Sequence, residues 1–131
     1  GLGDVYKRQL FRLGTLSVTL AVIEHDIYAN NLNFVFGEAE LNGKRAIISL
    51  YRLKPELYGQ KNDYLFKLRA LKEAMHELGH VFGLKHCDNR HCVMFFSNSI
   101  VDTDIKDWKY CKDCLNVLAK KNIRVNQDLV V

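Results

Sequence analysis

Leu16, Val18, Leu20 and Val22 alternate with Ser17, Thr19 and Ala21, and this period of two over Leu16 to Ile23 predicts a strand with one buried face. Glu24-His25-Asp26 marks its end, and His25 reads as a polar residue at a strand terminus, not as a ligand. Asn33 to Leu41 is a second predicted strand and Arg45 to Leu53 a third, with the turn pair Asn42-Gly43 between them, so the two form an antiparallel hairpin. Lys54 to Asn62 holds the one proline together with Gly59 and reads as a loop. A helix starts near Asp63, a candidate N-cap. Along it Tyr64, Leu68, Leu71, Met75, Leu78 and Phe82 recur every three or four residues, a stripe expected to face the core. Cys111 to Asn122 reads as a short terminal helix that turns Leu115 and Leu118 inward and carries Lys120 and Lys121 near its end.

The chain has 131 residues, 48% of them apolar, which suits a single domain with its own core. No apolar run approaches the roughly 18 residues of a membrane-spanning helix. The net charge of +4 is spread among acids without a basic stripe, so neither nucleic acid nor a membrane is an expected partner. Asp4-Val5-Tyr6-Lys7-Arg8-Gln9 reads as a translated transposon end from sequencing-library preparation, and residues 1–9 are set aside as an artefact, a natural polar arm being the alternative.

Candidate chemistry is concentrated from His76 to His86. Residues four apart on a helix lie about 40° apart around its axis, so His76 and His80 can reach one metal ion from the same face. Glu77 projects about 100° from His76, beside that metal, where a carboxylate can take a proton from bound water. The apolar stripe is centred roughly 140° from the two histidines. Gly83 can adopt the left-handed conformation that ends a helix, and the turn returns His86 as a third ligand. Three neutral imidazoles leave a fourth tetrahedral position open, the arrangement of a catalytic zinc.

His-Glu-x-x-His-x-x-Gly-x-x-His followed by a Met-turn is the metzincin signature. Here Cys87 abuts the third histidine, Cys92 follows after four residues, Val93-Met94 come next, and Cys111-Lys112-Asp113-Cys114 completes the set. This combination, over Ala21 to about Leu118, resembles the archaemetzincins. The resemblance implies a compact α/β metzincin-like domain: a twisted mixed sheet with an antiparallel edge strand, an active-site helix and a zinc-clamped C-terminal segment. It also implies an N-terminal strand and helix that this chain lacks, so the domain is expected to be truncated.

Function follows as expectation. Catalytic zinc would sit on His76, His80 and His86, and zinc-bound water, activated by Glu77, would attack a scissile peptide carbonyl. Paired cysteines beside a second metal motif favour a reduced site, so Cys87, Cys92, Cys111 and Cys114 would hold a structural zinc, giving two zinc ions per chain. Four thiolates and two zinc dications cancel in charge. Met94 resembles the Met-turn methionine beneath the histidines, and Gly83 supports the third ligand. Phe95 and Phe96 are candidate walls of a substrate pocket. The strand from Asn33 to Glu38 resembles the antiparallel edge strand that forms the upper rim of the cleft in archaemetzincins, where it can pair with an extended peptide, an ordinary edge protected by Glu38 and Glu40 being the alternative. Glu38 is a candidate anchor for a free amino terminus, as an aminopeptidase-like activity requires. His91, Asp102, Asp104 and Asp107 read as surface residues, Asp102 or Asp104 capping a turn. A peptide or protein substrate, a monomeric state and a cytoplasmic location complete the reading. Its rivals are a non-catalytic, zinc-stabilised peptide-binding module and a disulfide-stapled secreted protein.

Overall fold

The computed structural model describes residues 11–13, 16–29 and 33–128, so the reading of residues 1–9 lies outside the described residues. Among the described residues there are six strands: β1 (Phe11–Leu13), β2 (Leu16–Ile23), β3 (Ile27–Tyr28), β4 (Phe34–Val35), β5 (Gly37–Ala39) and β6 (Arg45–Ser49). They are followed by α1 (Asp63–Val81), α2 (Ile100–Ile105) and α3 (Lys112–Lys120). The main sheet runs β1-β2-β6-β5. β2 and β6 are parallel, with Leu20 opposite Ala46, while β5 is antiparallel to β6, with Glu38 opposite Ile47. The mixed sheet and its antiparallel edge are those expected.

β2 has the predicted bounds. The second strand does not run unbroken from Asn33 to Leu41. It bends at Phe36, which turns inward, so that β4 pairs with β3 and β5 alone joins the main sheet. The hairpin turn forms as read, with Asn42 at φ 53. The third strand stops at Ser49, short of Leu53. Ser49 Oγ donates to the His25 carbonyl at 2.5 Å and accepts the Tyr51 N–H at 3.3 Å, which directs the chain into a 3-10 turn over Tyr51–Leu53. A second such turn, Pro55–Tyr58, occupies the expected loop.

The N-cap of α1 is Asn62, not Asp63: Asn62 Oδ1 accepts the Leu65 N–H at 3.0 Å. Asp63 occupies the first turn, where its charge complements the helix dipole. The apolar stripe also needs correction. Leu78 and Phe82 pack towards Val18, Ala46 and Val81, and Met75 packs on the C-terminal core, but Tyr64 is 62% exposed. The buried side of α1 is largely polar, comprising Arg69, Lys72, Glu73, His76 and Glu77. The cause is the partner that side meets. Arg69 donates to the Leu53 carbonyl and both Asp104 oxygens, and Lys72 donates to the Thr103 and Asp104 carbonyls. Backbone carbonyls that leave water need donors, so this half of the helix buries cations.

A second core comprises Leu84, Cys92, Val93, Met94, Tyr110, Cys114 and Leu118. The chain after Leu84 therefore forms an apolar body of its own against the far side of α1. The terminal helix spans Lys112–Lys120, and Lys121 Nζ beyond it donates to Asn42 Oδ1 and to the Phe82 carbonyl, tying helix end to hairpin. No helix among the described residues is long and apolar enough to cross a membrane.

Candidate active site

The last two turns of α1 carry His76 and His80, and Gly83, at φ 100, ends the helix. In that turn the Gly83 N–H bonds to the His80 carbonyl at 2.9 Å and the Leu84 N–H to the Gly79 carbonyl at 2.8 Å. The ligand nitrogens of His76, His80 and His86 all lie within 4.8 Å of one another, so the structure brings the three expected histidines together.

His76 Nδ1 is 2.7 Å from the Val93 carbonyl and His80 Nδ1 is 2.7 Å from the Leu84 carbonyl. A carbonyl only accepts, so each Nδ1 carries the proton and each neutral ring presents its Nε2 lone pair. These two Nε2 atoms face each other at 3.2 Å. Two lone pairs at that separation repel unless a cation lies between them, so the donor set fits a metal ion. Burial, reinforced by the Lys106 charge, lowers the His76 pKa to about 3, and burial lowers those of His80 and His86. All three are thus in the neutral form that binds metal.

Glu77 and the histidines line a cleft of about 740 Å³, bounded on the sheet side by β5 and on the other by Phe96, Ser97 and Asn98. Burial first, and then the neighbouring Glu73, raises the Glu77 carboxyl to about 8. Gly37 explains how β5 comes so close: a Cβ there would lie 2.9 Å from Glu77 Oε2 and 2.7 Å from the Ile47 carbonyl. The sheet edge therefore runs directly over the carboxylate. An isolated glycine inside a strand pattern signals such an approach. Glu38 is exposed on the same rim.

The four cysteines carry free thiols. Cys87 and Cys111 sulfurs are 3.8 Å apart and those of Cys92 and Cys114 are 3.7 Å apart. Four sulfurs at about 2.3 Å from a tetrahedral zinc are separated by about 3.8 Å, so the set has the size of a closed zinc site. Cys92 Sγ also accepts N–H bonds from Met94 and Cys111. The Cys87 N–H bonds to the Met94 carbonyl at 3.0 Å, so this cluster and the histidine site share one piece of backbone.

Met94 is fully buried against Gly79. Of the two phenylalanines, Phe96 lines the cleft, its ring 5.1 Å from that of His86, whereas Phe95 contributes its carbonyl to Lys106. His91 is exposed. Asp102 caps its turn by accepting the Asn98 N–H, but Asp104 is no free surface acid, since it holds Arg69. Sequence reasoning missed Glu73 and Lys106, both buried and both lining the cleft. Glu73 stands one turn before Glu77, the one signal that was available; Lys106 carried none.

The family model described as peptidase family M54 matches residues 4–120. The chain is 63% identical to the archaemetzincin of Methanocaldococcus jannaschii over 110 residues, 83% of this chain and 62% of that protein. It is 60% identical to that of Pyrococcus furiosus over 119 residues, 90% of this chain and 60% of that protein. Among solved structures, the archaemetzincin of Archaeoglobus fulgidus complexed with malonate aligns with a TM-score of 0.70 at 48% identity, covering 85% of this chain and 66% of that one. The archaemetzincin of Methanopyrus kandleri aligns with a TM-score of 0.76 at 39% identity, covering 86% and 60%. The chain spans about six-tenths of the length of the curated relatives it matches. With the match running through both the histidine and the cysteine clusters, the chain belongs to peptidase family M54, whose archaemetzincins are its relatives.

Proposed function

We propose that this chain is the catalytic domain, or its larger part, of a zinc-dependent metallopeptidase. His76, His80 and His86 hold the catalytic zinc and Glu77 is the general base. The observation that carries this reading is the pair of Nε2 atoms facing at 3.2 Å with both Nδ1 atoms committed to carbonyls. Zinc bound there supplies Lewis acidity, making water acidic near neutrality and polarising a scissile carbonyl. Glu77 takes the proton on its carboxylate and passes it to the leaving amine. Burial and the neighbouring Glu73 push the Glu77 carboxyl up, and a zinc dication beside it would favour the carboxylate again, the form that accepts a proton. The β5 edge pairs its backbone with an extended peptide, and the exposed Glu38 would hold a free amino terminus in an aminopeptidase-like mode.

A second, structural zinc on Cys87, Cys92, Cys111 and Cys114 fixes the loop carrying Met94 and, through the Cys87–His86 junction, the third histidine. Reduced thiols fit a cytoplasmic location. The expected partner is a peptide, engaged by a monomer without nucleic acid. The second reading, a peptide-binding module that does not cut, uses the same cleft.

The test is zinc content with turnover of a peptide library. Wild type is expected to hold two zinc ions, falling to one in His76→Ala/His80→Ala, while Glu77→Gln keeps both and loses turnover. Peptide binding without turnover in the wild type would favour the binding module. One zinc that survives the histidine changes would sink the enzyme reading.

A further inference from the structure

Two buried charged groups on the floor of the cleft are not accounted for by the chemistry proposed above. Glu73 is 3% exposed, lines the cleft and has no hydrogen-bonded or ion-paired partner among the described residues. Lys106 is 2% exposed and lines the same cleft. Its Nζ donates to the Phe95 carbonyl at 2.9 Å. His76 Nδ1 lies 3.5 Å away but carries its own proton, donated to Val93, and so cannot accept. A lysine ammonium has three N–H donors, so two of them find no acceptor among the described residues. Glu73 and Lys106 feel each other's charge yet stand beyond the 4.0 Å of an ion pair. Ser97 Oγ, on the same wall, is also buried without a partner.

Each class of substrate side chain meets this floor differently. A cation would pair with Glu73 but be repelled by Lys106, and an anion would meet Glu73 and Glu77. An aliphatic side chain would offer no partner to Glu73, to the two free Lys106 N–H groups or to Ser97 Oγ, forgoing roughly 1–3 kcal/mol for each hydrogen bond to a charged group. A carboxamide donates through its NH2 and accepts through its oxygen, about 2 Å apart, and so spans an acceptor and a donor that cannot reach each other. The match is independent of where the proton of the pair resides, since a carboxylic acid and a neutral amine also offer one acceptor and one donor.

We propose that Glu73 and Lys106, with Ser97 beside them, form a side-chain pocket next to the scissile bond that selects Gln or Asn of the substrate. This rests on the peptidase reading for the position of the peptide, but it is tested by binding. Zinc-loaded protein is titrated calorimetrically with peptidyl hydroxamates identical except for a Gln, Leu, Glu or Lys side chain. The Gln compound is expected to bind at least about tenfold more tightly than the Leu compound. In Glu73→Gln the floor gains an amide donor beside Lys106, and the preference is expected to turn from Gln to Glu. Equal or tighter binding of the Leu compound, binding by none of the four, or unchanged selectivity in a folded Glu73→Gln protein would overturn the pocket. Should that variant not fold, the wild-type ranking decides alone. Turnover of peptides without Gln selectivity removes the pocket and leaves the peptidase. Gln-selective binding without turnover keeps the pocket and removes the peptidase.

Discussion

Gly79 of α1 rests directly on Met94: a Cβ at position 79 would fall on the methionine sulfur and come within 3.0 Å of Tyr110 Cε1. The helix that carries the histidines can approach the loop beneath them this closely because one residue between them has no side chain. Alanine at 79 would improve helix propensity by roughly 1 kcal/mol, but overpacking a filled core costs roughly 1–3 kcal/mol. Gly79→Ala is therefore expected to be destabilised by about 1 kcal/mol and to hold zinc at the histidine site less tightly. Met94→Leu, which conserves volume, is expected to lose less than about 1.5 kcal/mol. Urea titration with zinc analysis checks both, and a Gly79→Ala chain more stable than wild type would show that the contact does not constrain the helix.

The spacing of the three histidines survived the step from sequence to structure because it is set within one helix and one tight turn. His76, His80 and Gly83 depend only on local geometry, the Asn42 turn is equally local, and β2, though it pairs with the distant β6, is marked by its own alternation. The burial of α1 was not legible, since the face opposite the sheet meets the chain at 100–106, whose position is fixed by contacts more than 30 residues away. Periodicity finds apolar stripes, whereas Arg69, Lys72 and Lys106 are buried by the acceptors they meet. Gly37 could have been read, because a glycine inside the strand pattern is a sign of close approach.

Sulfur separations of 3.7 and 3.8 Å suit a shared zinc, and Cys87 follows His86 directly. Cys114→Ser is expected to release that metal. With its third ligand no longer fixed, the histidine site is expected to weaken by roughly 10–100-fold, as when a group supporting a metal ligand is lost. Zinc competition with a coloured chelator measures it, and an unchanged histidine-site affinity would separate the two metals.

Arg69 is almost wholly buried and grips Asp104 through two bonds of 2.8 and 2.7 Å. In Asp104→Asn the guanidinium keeps its charge and loses its counter-charge. Asp104 is about one-third exposed, which screens the pair, so the expected loss is roughly 2 kcal/mol, below that of a fully buried pair. Asp107→Asn, at an exposed acid, is expected to change stability by less than about 0.5 kcal/mol. Equal urea midpoints for the two variants would mean that the Arg69 pair contributes nothing beyond a surface contact.

Burial raises the Glu73 carboxyl from its ordinary 4.5 to about 7, against the opposing pull of Lys106. Below pH 4.5 the group is protonated in folded and unfolded chains alike and costs nothing. Between 4.5 and about 7 the folded chain retains a proton that the unfolded chain has released, so stability falls as pH rises. Above about 7 both states are ionised and the full cost, up to roughly 3 kcal/mol, is present. Glu73→Gln removes this dependence. The variant is therefore expected to be more stable than wild type at alkaline pH, by a margin that shrinks towards zero as the pH is lowered through this window. Urea unfolding of both proteins from about pH 5 to about pH 8, at one fixed zinc concentration, measures the margin. A margin that grew on acidification would mean that Glu73 is held as a stabilised carboxylate, with Lys106 outweighing burial.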